Sequence, residues 1–258
     1  MLAHIDALSR ERMSSYTKAT LGNKKLALDL YEKNIQLSKL EFEYIGRFEL
    51  ILRNKANVLL SNKINNKWYN ENWINNAGLL SYITDAKNKI NEKQYKIRKK
   101  RNLKFLPPVT NGDMISSFTF SFWRKLFNEQ PSLIFQNHYS FQMLEIYKDV
   151  SDRKQIYKDL YSINKIRNRV AHHEPIILSL KDGKKVVDTS SIVKLNEIIE
   201  EHFNRLDIDR NKVNTKIDEN FSQLIRDVNE INTKLTSSLE NNKDNAASTE
   251  NQELTTVK

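Results

Sequence analysis

Residues 161–175 read Tyr-Ser-Ile-Asn-Lys-Ile-Arg-Asn-Arg-Val-Ala-His-His-Glu-Pro. Ile163, Ile166 and Val170 recur at three- and four-residue spacing, the stripe of an amphipathic helix. Pro175 disfavours helical backbone at Glu174, so the helix is predicted to end there. Two of the chain's five histidines, His172 and His173, stand side by side at that end. Arg167, Asn168 and Arg169 precede them by one to two turns. Asn168 and His172 are four apart and share a face, as do Arg169 and His173. The unpaired carbonyls of a helix C-terminus favour a protonated imidazole.

These residue types suit chemistry on a phosphodiester. An imidazole can take a proton from a ribose 2′-hydroxyl, or give one to a leaving oxygen, near neutral pH. A guanidinium can fork onto the phosphate as negative charge builds. An amide can fix the ring or the substrate. An isolated Arg-x4-His is loosely specified and is most often a surface helix end whose cations offset the dipole. The full string Arg-Asn-Arg-Val-Ala-His-His-Glu-Pro, 167–175, is far more specific.

Composition removes several alternatives. Among 258 residues there are five glycines, none close to another, so no Gly-rich phosphate cradle is present. Zero cysteines remove disulfides, thiolate metal sites and cysteine nucleophiles, and fit a reducing cytoplasm. No His-Glu-x-x-His occurs, and adjacent histidines point about 100° apart on a helix, so no metal site is expected. No Gly-x-Ser-x-Gly occurs either. No cofactor is implied. The net charge of +10 favours a polyanionic partner, nucleic acid before membrane. No stretch approaches 18 apolar residues, and Met1–Met13 lacks the apolar core of a signal peptide; a cytoplasmic protein is expected.

Outward from the motif, the periodicity is helical nearly throughout. Ser9 is a plausible N-cap for residues 8–20, with Glu11 in the first turn. Residues 24–60 read as one or two long helices, and Glu49 and Arg53 within them are spaced for an i,i+4 pair. Trp68 and Trp73 read as core anchors, with base-stacking platforms as the other reading. Residues 79–97 form a further helix that runs into Lys93, Lys96, Arg98, Lys99, Lys100, Arg101 and Lys104. That is seven cations in twelve residues, with Tyr95 and Phe105 nearby and no acid between Glu92 and Asp113. Such a run is usually a solvated face; here contact with an RNA backbone is favoured. Asp113 can cap the next helix, along which Phe118, Phe122, Trp123 and Phe127 form an aromatic side with no chemistry assigned. His138 reads as a packing or surface residue. Tyr157, Leu160 and Tyr161 are expected to extend the buried side of the motif helix. Residues 176–190 can form a short hairpin turning at Asp182-Gly183. Residues 190–207 supply a last core helix.

Val213, Ile217, Phe221, Leu224, Val228, Ile231, Leu235 and Leu239 follow at near-heptad spacing, a helix that could dimerise or pack on its own core. Residues 240–258 are polar, without apolar period, and are expected to be disordered.

The motif string resembles the HEPN superfamily signature, an Arg followed four to six residues later by His. More closely, it resembles the AbiD/AbiF group of Abi-like (abortive infection) proteins, whose late signature reads like Arg-Asn-Arg-x-Ala-His-His-Glu-Pro. The resemblance extends over about residues 8–206: the Leu-Ser-Arg-Glu-Arg opening, Glu49-Leu-Ile-Leu-Arg-Asn54, a Trp after the second helix, and Thr-Phe-Ser-Phe-Trp at 119–123. There Phe118 replaces a usual Leu, and Ser121 a usual Gly. With the helical periodicity, the resemblance implies an all-α HEPN-like helical bundle over 1–210, to which the near-heptad spacing appends an amphipathic helix at 211–239. It implies a catalytic set of Arg167, Asn168, His172 and His173, with Glu49, Arg53 and Asn54 in support. RNA would meet Lys93–Lys104 and Arg169. Two function classes follow. One is a metal-independent endoribonuclease, a homodimer with one motif from each chain, acting as a phage-defence toxin. The other is a non-catalytic RNA-binding protein held by a structured non-coding RNA.

Overall fold

The computed structural model describes residues 10–72, 74, 78–102, 104–106, 108–128, 143–149, 152–209, 213 and 219–237. The expected all-α class is what the chain adopts: helices α1 (Arg10–Ala19), α2 (Lys24–Lys63), α3 (Leu80–Arg101), α4 (Asn111–Ser117), α5 (Phe120–Lys125), α6 (Arg153–Ala171), one hairpin of β1 (Leu178–Lys181) and β2 (Lys184–Val187), α7 (Ser190–Arg205), and a helical run at 219–237, here α8. Short 3-10 turns stand at Trp68–Asn70 and Met143–Ile146. Trp73, His138, Ser9 and residues 240–258, each read from the sequence, lie outside the described residues.

Residues 24–60 belong to one helix, not two. Asn23 starts it, its Oδ1 accepting from Leu26 N–H at 3.1 Å, as an N-cap should. Gly22, at φ +86°, makes the preceding turn. In α6 the apolar stripe Ile156, Leu160, Ile163, Ile166 and Val170 is buried. Each such side chain contributes roughly 1.5–3 kcal/mol on burial. Tyr161 departs from the expected stripe. It is 53% exposed, and its ring faces the Arg124 guanidinium at 5.0 Å.

The chain divides into two interleaved compact units. The first comprises Met1–Glu43, Arg167–Asn196 and Asn214–Lys258; the second Tyr44–Ile166 and Glu197–Val213. In the first, α1 lies against the hairpin. The hairpin turns at Asp182 (φ +49°) and Gly183 (φ +73°), with Leu178 paired to Val187 and Lys181 to Lys184. That double left-handed turn is the reason for the Asp-Gly pair. Of the two roles open to the near-heptad stripe, α8 takes packing on its own chain. Leu224, Val228, Ile231 and Leu235 are buried, and Asp227 pairs with Lys33 at 2.5 Å. Those four apolar positions are therefore not available as a dimer seam.

The second unit holds an aromatic core. Trp68 stacks on Phe122 at 6.0 Å and donates Nε1–H to Asn57 Oδ1 at 3.0 Å. Phe118 and Phe122 stack at 4.2 Å, with Trp123 edge-on. The expected single aromatic helix is broken. Phe118 and Thr119 are extended, which divides it into α4 and α5. The cap also differs from the expected Asp113 alone: Thr110 is the N-cap, and Asp113 answers from the third helical position in a reciprocal capping box. Tyr147 meets the fully buried His202 at Nδ1, 2.9 Å away, and Asp159 lies 3.5 Å from Nε2.

Candidate active site

The motif lies in the first unit, where α6 ends. His172 N–H still bonds the Asn168 carbonyl at 3.0 Å, so the helix persists through His172. His173 then turns left-handed at φ +55°. Its N–H donates to Val170 O at 3.1 Å, and Glu174 N–H reaches back to Arg169 O at 2.8 Å. This is a Schellman end with histidine where glycine is usual. Pro175 follows it, as helix termination requires.

Three further groups fix the exit. The Arg169 guanidinium donates to the Pro175 carbonyl, and its Nε lies 3.7 Å from the Glu174 carboxylate. Buried Asn34 of α2 accepts from Ile176 N–H at 2.8 Å. Asn34 also hydrogen-bonds Tyr16, and burial pushes the Tyr16 hydroxyl well above the usual phenol range, against the opposing charges of Arg12 and Arg169. Tyr16 therefore stays neutral, because the cost of burying its charged form outweighs those two cations. Ile176 and Ile177 are buried directly after it.

On this anchored end, Asn168, His172 and His173 are exposed, and Arg167 is half-buried. Asn168 and His172 share a face, so an amide and an imidazole present to solvent together. Arg167 and His172 are five apart, about 140° of helical rotation, and their side chains diverge. Arg169, expected to contact RNA, has its guanidinium engaged within its own turn. No group of His, Cys, Asp or Glu among the described residues could hold a metal ion.

Glu49, Arg53 and Asn54 and the tract from Lys93 to Lys104 belong to the second unit. Glu49 and Arg53 are half-buried on α2, and Asn54 is exposed. Arg53 Nε is shut from solvent with no hydrogen-bond acceptor among the described residues. The tract forms the last turns of α3 and the segment after it, with its cations exposed.

Sequence reasoning missed Asn34 and Tyr16. An Asn in the middle of a helix carries a weak signal: it is a poor helix former without a tertiary partner. Asn34 has one, 142 residues away, a separation that no local pattern contains.

Among the described residues, no helix is long and apolar enough to cross a membrane. Neither a curated protein nor a solved structure matches the chain. Residues 6–177, which include the opening helix, the Glu49–Asn54 element and the whole motif, match the family model for Abi-like proteins. The chain belongs to the Abi-like protein family, and that membership supports a function of the abortive-infection, phage-defence type.

Proposed function

We propose that the protein is a metal-independent endoribonuclease of HEPN type that acts on RNA in the cytoplasm as the toxic arm of phage defence. The observation that carries this reading is the exposed Asn168–His172 pair at the end of α6, on a turn fastened from beneath by Asn34 and Arg169. In-line phosphodiester transfer needs a fixed proton acceptor and a charge clamp; the exposed imidazole beside an amide offers the first, and Arg167, on another face of the helix, the second. The ribose 2′-oxygen attacks phosphorus as His172 removes its proton. The bond from phosphorus to the 5′-oxygen breaks, and that oxygen takes up a proton. The products are a 2′,3′-cyclic phosphate and a 5′-hydroxyl. Arg167 meets the charge that builds on the non-bridging oxygens.

Two proton transfers and a charge clamp ask for more than one divergent Arg–His pair. A two-fold homodimer that faces two α6 ends supplies a second His172 and a second Arg167, and two-fold pairing is the commonest oligomer geometry. Mixing Arg167→Ala chains with His172→Ala chains tests the shared site. Partial recovery of cleavage is expected, because a mixed dimer faces one intact Arg167 with one intact His172 across the two-fold, whereas each variant alone lacks one of the two groups altogether. Full activity in either variant alone defeats the proposal. RNA held firmly but never cut by the wild type would instead favour the non-catalytic, RNA-restrained reading.

A further inference from the structure

Helix α3 ends in an exposed aromatic and cationic cleft. Its inner side is fixed by buried Ile83, Ala86 and Ile90. Past Glu92 the outer side is basic, and Asn102 closes the helix in left-handed conformation (φ 49°), its N–H on Arg98 O. Tyr95, Arg98, Lys99 and Asn102 follow at i, i+3, i+4 and i+7, which is one face. With Lys104 they line a cleft of about 450 Å³. Tyr95 is 64% exposed and Phe105 78%, and Lys104 Nζ sits 5.9 Å from the Phe105 ring centre. The same face continues towards the helix start through Asn91 and Lys87, which border a second cavity of about 340 Å³ with Tyr69 and Asn70.

Cations in a last helical turn can be there only to offset the dipole. That accounts for Arg98 to Arg101 but not for the two exposed rings that flank them, Tyr95 in the cleft and Phe105 next to Lys104 at its edge. An exposed ring costs apolar hydration and adds nothing to the dipole. Exposed rings in and beside a cationic cleft are what a single nucleic-acid strand uses: phosphates on the cations, bases on the rings. A duplex, whose bases are stacked away inside, can use only the cations.

We infer that the α3 cleft is a stacking site for single-stranded RNA, in which Tyr95 and Phe105 hold successive bases and Arg98, Lys99 and Lys104 hold the phosphates between them. It rests on the reading that RNA is the partner, and names the strand form and the groups that grip it. From Lys87 to Asn102 the face runs about 22 Å by helix rise, room for several nucleotides. Recognition here is tolerant of sequence, because every base has a stacking face.

The test uses the full chain and a fluorescein-labelled 2′-O-methyl oligouridylate of twelve nucleotides, which lacks the attacking hydroxyl and cannot be cut. Anisotropy titrations across a salt series compare it with a twelve-base-pair RNA duplex. Tyr95→Ala and Phe105→Ala should each weaken single-strand binding by about 5- to 150-fold with the salt slope unchanged. Tyr95→Trp should restore it. Lys99→Ala with Lys104→Ala should reduce the slope by about 1.4. Duplex binding should be indifferent to Tyr95→Ala. Affinities of both aromatic variants within twofold of wild type overturn the inference, as does an equal loss on the duplex. So does displacement of the strand by poly-glutamate at matched charge, which would mark the cleft as a dock for acidic protein. Cleavage of ordinary RNA is scored separately. Cutting with no aromatic effect sinks only the stacking site; stacking without cutting sinks only the ribonuclease.

Discussion

His173 holds the left-handed position that ends α6, at φ +55°. Side chains there cost roughly 1 kcal/mol relative to glycine, and histidine is among the residues that tolerate it best. His173→Gly should therefore leave the fold as stable or raise it by up to about 1 kcal/mol, and His173→Val should lower it, by urea denaturation. Cleavage should fall less in His173→Ala than in His172→Ala, because the His173 ring leaves the Asn168 face. Arg167→Ala and His172→Ala should abolish cleavage and toxicity; His172→Ala, at an exposed helix end, should move stability by no more than about 0.5 kcal/mol, and Arg167→Ala, at a half-buried position, by about 1 kcal/mol. Asn34→Leu gives the opposite pattern. It strands the Ile176 N–H, costs about 1–3 kcal/mol, and loses activity through the turn and not through the chemistry. A second buried group sets a pH dependence. Glu41 is 1% exposed, its Oε1 bonded by Asn196 at 2.8 Å and its Oε2 without a hydrogen-bond partner among the described residues. Burial raises its carboxyl from 4.5 to about 7. Between those values the folded state binds the proton that the unfolded chain has released, so stability falls as pH rises from about 4.5 to 7 and then levels. Glu41→Gln should flatten that fall, which is on the order of 3 kcal/mol, in melts from pH 5 to 8; an unchanged slope would show that Glu41 ionises freely.

At the scale of elements, α6 was legible because its apolar spacing, its terminal cations and Pro175 all agree on one helix and one end. The hairpin was legible because Asp182-Gly183 admits few other turns. Glu11 sits in the first turn of α1 as expected. What local pattern could not show were outcomes of packing. At the Phe118-Thr119 break both residues are extended, and Phe118 still stacks on Phe122 across it; helical spacing of the four aromatic residues gives no sign of that interruption. The α6 end carries no glycine, so its Schellman geometry left no mark in the sequence. The cap of α4 is shared by two residues, and hydrogen bonds from Thr110 hold the Asp113 carboxyl below its usual range. Thr110→Ala should cost about 1 kcal/mol, and because a lowered acid stabilises only above its unfolded pKa, the difference should shrink as pH drops below about 4.

At the scale of the molecule, a charge of +10 and a sequence pI near 9.5 would make the proposed association with RNA long-ranged and salt-sensitive. The stripe of α8 resembled a dimer seam because near-heptad spacing serves a seam and an intramolecular groove alike. Burial of Val228 at 0% exposure distinguishes them. Val228→Asp should destabilise the chain by about 3 kcal/mol or more through an unpaired buried charge, with no seam to open; a well-folded monomer from that variant would restore the seam. The proposed cleavage rests on the chemistry of Arg167, Asn168 and His172. The direct measurement is end-group mapping of RNA incubated with the pure protein in EDTA. The expected products are 2′,3′-cyclic phosphate and 5′-hydroxyl ends, made by wild type and absent with His172→Ala. Intact RNA, or 5′-phosphate ends that vanish with EDTA, would contradict that chemistry.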